Sequence, residues 1–82
     1  MRKSIHTAQY GILLKLLVDA RETRGLTQVK LGRRLQLSQS GVSKVERGER
    51  RLDIVELHAW CRALGIPFLA FVTDFDAKLR NQ

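Results

Sequence analysis

The stretch LSQSGVSKVERGERR, Leu37 to Arg51, sets hydroxyls, an amide and cations among valines spaced three apart. Laid on a helix at about 100° per residue, Gln39, Ser40, Ser43, Lys44 and Arg47 share one arc while Val42 and Val45 face the other way. A carboxamide can bond the edge of adenine, hydroxyls can bond several base edges, and cations reach guanine or a backbone phosphate. These are the chemical means of reading a groove in duplex nucleic acid. A merely solvated helix face is the alternative on pattern alone, although such faces more often carry long Glu and Lys than short Ser beside Gln.

Other reactive residues lack the companions their chemistry needs. Ser, His and Asp all occur, but without a nucleophile elbow, a phosphate-cradling glycine loop or an acid pair, so no enzyme is expected. His58 and Cys61 stand three apart and offer two metal ligands with no second pair, so neither metal nor other cofactor is expected. Trp60 beside them is assigned to the core or its edge. The single cysteine cannot close an internal disulfide, and no charged segment followed by an apolar run and a small-residue cleavage site opens the sequence. These features set the expectation of a cytoplasmic protein. The longest apolar runs, such as ILL and IPFLAFV, fall well short of the roughly 20 residues a bilayer span requires, so no membrane partner is expected.

Positioning such a face falls to a small set of elements. The chain has 82 residues, which is one domain, 1–82, with a single small core and little room for a deep cavity. Its net charge of +7 is unevenly spread: residues 21–51 carry nine cations against three anions, and residues 52–82 carry three against four. The basic middle third is an electrostatic footprint suited to a polyanion, or else a solvated charged face. Punctuation predicts five helices and no strand. Thr7 caps a first helix with Tyr10, Leu13, Leu14, Leu17 and Val18 inward, which Gly25 stops. Thr27 caps a second with Leu31 and Leu35 inward, and Ser38 caps a third that Gly48 closes. Asp53 and Glu56 form a capping box that opens a fourth, running to Gly65. Pro67 fits the first position of a fifth, and the tail KLRNQ is expected to fray. Residues 1–6 are read as an N-terminal arm and 66–80 as a C-terminal helix and possible dimer contact. The fold class is therefore an all-α, compact five-helix domain.

LTQVKLGRRLQLSQSGVSKVERGERRLDIVELHAWCRALGIP resembles the helix-turn-helix family of phage repressors and Cro proteins, the xenobiotic response element (XRE) family. The similarity runs from about Arg21 to Phe71 and rests on three ordered markers: the LTQ entry to the second helix, SQSxVSKxERGxR, and RALGIP. The resemblance implies that helices 2 and 3 form the helix-turn-helix and that the third enters the major groove, with Gln39, Ser40, Ser43 and Lys44 as base readers. It implies that Thr27 and Gln28 at the start of helix two bind phosphate, Gln28 also bracing the recognition helix, with Arg47, Arg50 and Arg51 holding further phosphates. Arg21 and Glu46 match family positions that form an ion pair. Two departures stand out. Gln36 replaces the glycine usual in the turn, and Gly32 replaces the alanine preferred at the helix crossing, each at about 1 kcal/mol. Gly41, where a larger side chain is common, removes a possible contact.

On the fifth helix Phe68, Leu69, Phe71, Val72, Phe75 and Leu79 make an arc wider than one edge of a small core readily covers. It can be covered by a second copy, through Phe68, Phe71, Val72 and Phe75, or by folding back on helices one and four. The function expected is sequence-specific binding of double-stranded DNA at an inverted-repeat operator by a homodimer, repressing transcription by occlusion. The alternative is a protein-interaction module such as an antitoxin, which neutralises a partner protein and binds DNA chiefly as a complex.

Overall fold

Each of the first four helices begins at the polar residue its sequence offers as a cap. The computed structural model describes residues 7–82. The helices are α1 (Ala8–Thr23), α2 (Gln28–Leu35), α3 (Gln39–Glu46), α4 (Ile54–Leu64) and α5 (Phe68–Arg80), with no strand among the described residues. The N-terminal arm expected over residues 1–6 lies outside the described residues. Hydroxyl oxygens accept the orphan backbone N–H groups: Thr7 from Tyr10 at 3.1 Å, Thr27 from Lys30 at 3.1 Å, and Ser38 from Gly41 at 3.0 Å. Asp53 and Glu56 close a full capping box, the Asp53 carboxylate accepting from the Glu56 N–H at 2.7 Å and Glu56 accepting in return at 2.9 Å.

The start of α5 differs from expectation. Pro67 caps the helix instead of occupying its first turn, because its ψ of 130° is extended and helical geometry starts only at Phe68. The helix ends at Arg80, the bound expected for it, so of the tail KLRNQ only Asn81 and Gln82 lie beyond its last stretch. Pairs one turn apart, Asp74 with Lys78 at 3.0 Å and Asp76 with Arg80 at 3.4 Å, support that last stretch, and the cations suit its C-terminal dipole.

The core takes Tyr10, Leu13 and Leu17 from α1, Leu31 from α2, Val42 and Val45 from α3, Trp60, Cys61 and Leu64 from α4, and Phe71 from α5. Burial pushes the Cys61 thiol up to about 11, so it is a protonated core residue at neutral pH. His58 is exposed, its ring tilted against Phe68 with centroids 5.1 Å apart, so the two possible ligands face different surroundings. Among the described residues no group of three His, Cys, Asp or Glu side chains could hold a metal ion, and no single helix is long and apolar enough to cross a membrane.

α5 packs on α1 and α4, which corrects the assignment of Phe71 to a dimer contact. Phe71 is only 5% exposed, within the domain's own core, and has no surface to offer a second copy. Phe68 and Phe75 also lean on that core, Val72 is half-buried, and Leu69 alone among these is open, at 77% exposure. The wide apolar arc is thus shared between a buried side and a narrow exposed edge.

The turn between α2 and α3 decides how closely these helices approach. Gln36 takes the left-handed conformation, φ 59° and ψ 40°, and the next residue's N–H reaches back to the Gly32 carbonyl at 2.8 Å. That folds the Leu37 carbonyl over Gly32, where an added Cβ would lie 2.5 Å from its oxygen. The sequence makes Gly32 look like a propensity penalty, whereas the structure makes it a steric requirement. Gly32→Ala should therefore lower the unfolding free energy by about 1 to 3 kcal/mol in urea titration, despite the helix propensity alanine adds. Gln36→Gly should match wild type or exceed it by up to about 1 kcal/mol, since relief of left-handed strain opposes glycine's larger unfolded-state entropy. A more stable Gly32→Ala protein would contradict this view of the turn.

Candidate nucleic-acid interface

α2 and α3 start from Thr27 and Ser38, and the polar side chains on and beside these starts form one connected system. At its base, the Arg21 guanidinium from the end of α1 grips the Glu46 carboxylate from the end of α3, Nε to Oε2 at 2.6 Å and Nη2 to Oε1 at 3.1 Å. Their side chains are 12% and 5% exposed, so this is a largely desolvated two-pronged pair. A third Arg21 nitrogen, Nη1, donates to the Leu26 carbonyl at 2.8 Å and fixes the chain as it enters α2.

The pair then extends outward. Gln28 Nε2, on the first turn of α2, donates to Glu46 Oε1 at 2.8 Å, and Gln39 Nε2, at the start of α3, donates to Gln28 Oε1 at 2.6 Å. Four side chains thus link the buried carboxylate to the exposed head of α3. A carboxamide nitrogen carries two hydrogens. Gln39 gives one to Gln28 and retains a donor beside its carbonyl oxygen, the complement of an adenine edge. Ser40 and Lys44 are exposed next to it and Ser43 is half-buried, while Val42 and Val45 are buried behind them, so the four residues do share one outer face.

The arginines after α3 have local partners that spacing did not reveal. Arg47 meets Glu49 at 3.0 Å, and Arg50 pairs with Glu56, which also completes the α4 capping box. The Asp53 backbone N–H first, and Arg50 second, hold the Glu56 carboxyl below the usual carboxylate range. The Glu56 hydrogen bond likewise raises the affinity of Arg50 for its proton. The Arg51 guanidinium lies 4.3 Å from the Tyr10 ring centroid. Tyr10 received only a core role from its periodicity, and Gln28 was not linked to Gln39, because partners eleven or more residues apart leave no periodic signal.

The buried pair has a measurable consequence. Glu46→Ala leaves the Arg21 cation desolvated and Gln28 without its acceptor, and should cost about 3 to 5 kcal/mol of unfolding free energy. A loss below about 1 kcal/mol, as for an exposed pair, would contradict the burial argument.

Known proteins are similar to this chain in sequence and fold. Residues 17–71, more than half the chain, match the family model described as Helix-turn-helix. The chain is 36% identical over 56 residues, 68% of its own length and 73% of the relative's, to a protein from Sinorhizobium fredii described as an uncharacterized HTH-type transcriptional regulator. It is similar in structure, with a TM-score of 0.83, 44% identity and 90% of each chain covered, to an XRE-family like protein from Pseudomonas syringae pv. tomato. The chain belongs to the XRE-type helix-turn-helix family.

Proposed function

We propose that this chain is a sequence-specific double-stranded DNA-binding transcriptional regulator that acts as a homodimer on an inverted repeat and represses by occluding it. The observation that carries the reading is the side-chain relay from the buried Arg21–Glu46 pair through Gln28 to Gln39, which sets a reader amide before any ligand arrives. Rigid placement of a reading group reduces the ordering cost on binding. The description of the Sinorhizobium relative as a transcriptional regulator supports the same reading.

In this reading Gln39, Ser40, Ser43 and Lys44 face base edges in the major groove. Thr27 and Gln28, at the N-terminus of α2, offer a phosphate the positive end of the helix, and Arg47, Arg50 and Arg51 take further phosphates. Arg47 and Arg50 must share or release Glu49 and Glu56. Both pairs are substantially exposed, and such pairs are worth only about 0 to 1 kcal/mol, so exchange for phosphate costs little. A single α3 covers too few base pairs to define one site, which is the case for a two-fold dimer with recognition helices about 34 Å apart. Of the large apolar residues on α5, Leu69 is the exposed one, and so the one that can meet a second copy.

Titration with duplex should show log K falling against log salt with a slope of about −5, from about 0.9 per phosphate over about six contacts. Gln39→Ala should cost about 1 to 3 kcal/mol on the cognate site and relax preference at one base pair. Arg50→Ala should weaken all sequences alike and reduce the slope by about one unit. Equal, sequence-blind losses from both would refute the division into readers and phosphate contacts, and salt-insensitive behaviour with no DNA bound would favour an antitoxin-like module.

Sedimentation equilibrium should find a dimer at micromolar concentration. Leu69→Asp should weaken that dimer and its operator affinity while leaving the monomer folded, a cleaner test than Phe75→Asp, which strikes a residue packed on the core. A wild-type monomer that binds one half-site as tightly as an inverted repeat would overturn the dimer.

A further inference from the structure

The ends of α2 and α4 meet across an open cleft of about 450 Å³, lined by Arg34, Leu35 and Gln36 on one side and by Ala59, Arg62 and Ala63 on the other. Arg34 is held in place there, since its Nη1 donates to the Ala63 carbonyl at 2.7 Å. A guanidinium has five N–H donors, so most of those on Arg34 remain for another acceptor. The helix dipole favours a cation at the carbonyl end of α4, which Arg34 supplies. Arg62 adds a second charge, exposed and without a hydrogen bond or ion pair to any described residue. The chain holds no counter-ion in reserve for either arginine. Of its eight acidic side chains, seven face other cations in ion pairs and the eighth, Asp53, caps α4.

We propose that this cleft docks an acidic segment of a partner protein, whose carboxylates engage Arg34 and Arg62 while an apolar side chain of the same segment rests on Leu35, Ala59 and Ala63. The site goes beyond the DNA-binding reading because it is a second surface. Arg34 lies six residues past Gln28, about 9 Å of helix rise and about 120° of turn away, so the start of α2 stays open when the cleft is filled. Charge complementarity selects an anion. The rest of the wall selects its kind: a planar guanidinium takes a carboxylate through two parallel bonds, and the leucine and alanines beside it offer a surface that an apolar side chain covers and a phosphodiester strand does not. A concave site of this size also admits a few side chains and no duplex. Exposed arginine–carboxylate pairs are individually weak, so two of them with a small apolar contact give a modest, salt-sensitive affinity. Such a site suits a partner recruited and released, not one held permanently.

The test titrates the full, isotope-labelled chain by NMR with two short synthetic peptides, one of alternating glutamate and leucine pairs and one with glutamine in place of each glutamate. The glutamate peptide should shift the Arg34 and Arg62 side-chain Nε–H signals and the backbone amides of Ala59 and Ala63, and the glutamine peptide should shift none of them. Arg62→Gln, which breaks no contact of the fold, should weaken binding of the glutamate peptide about three- to ten-fold. Arg24→Gln makes the same change of net charge at the end of α1 and should leave that binding at its wild-type value. A mixed-sequence DNA duplex should bind Arg62→Gln with wild-type affinity and salt slope, and the peptide should produce the same shifts when duplex is present. An absence of shifts at the cleft, shifts centred on Gln39 and Lys44 instead, or equal losses from Arg24→Gln and Arg62→Gln would overturn the docking site. A duplex salt slope reduced by about 0.9 in Arg62→Gln would assign the cleft to DNA phosphate and overturn it equally. Failure of the wild type to bind duplex at any salt would overturn the DNA-binding reading alone, because the first peptide titration is made without DNA and decides the cleft by itself.

Discussion

A carboxylate that has left water must be fully bonded, and Glu46 meets that demand with donors from two other parts of the chain, Arg21 on α1 and Gln28 on α2. Its own backbone belongs to α3, so satisfying one carboxylate fixes three helices against each other. Such a pair adds little net stability over a well-packed apolar substitute, but separating its partners is expensive. Its contribution is therefore to geometry. Sliding α3 along α1, or rotating it to turn other side chains outward, would break the bonds that keep the charge tolerable. The Gln28–Gln39 contact carries that constraint to the surface.

A second constraint is steric and sits in the turn that leads into the recognition helix. α2 and α3 join through a turn that places the Leu37 carbonyl over Gly32, and this leaves no space for even a methyl group. The turn tolerates Gln36 in a left-handed conformation because the adjoining helices are anchored elsewhere, by Leu31, Val42 and Val45 in the core. Glycine at the crossing and glutamine in the turn are thus two parts of one arrangement: the close approach depends on the first, and the second absorbs modest backbone strain.

The elements were legible in the sequence because caps act over three residues. Thr7, Thr27, Ser38 and the Asp53–Glu56 box stand directly before the turns they satisfy. The outer face of α3 was legible for a similar reason, since valines spaced three apart fix which side is buried. Long-range partners were not. Only resemblance suggested Arg21 with Glu46, and nothing in the pattern suggested Gln39 with Gln28 or Tyr10 with Leu52 and Arg51. The arc on α5 was visible, but a wheel cannot say which neighbour covers which part, so Phe71 was assigned outward although α1 and α4 enclose it. Gly32 looks like a propensity penalty in the sequence because the need for glycine arises from a carbonyl five residues later, whose position depends on the turn.

The central claim is that the outer face of α3, fixed from beneath by the Glu46 network, reads DNA sequence. Selection of bound sequences from a random duplex pool by the purified protein tests this most directly, because it presumes neither operator nor partner. The account predicts enrichment of an inverted repeat whose half-sites lie about one helical turn, or 34 Å, apart. A pool that emerges with no sequence enriched, although the protein is folded and retains duplex in low salt, would contradict it.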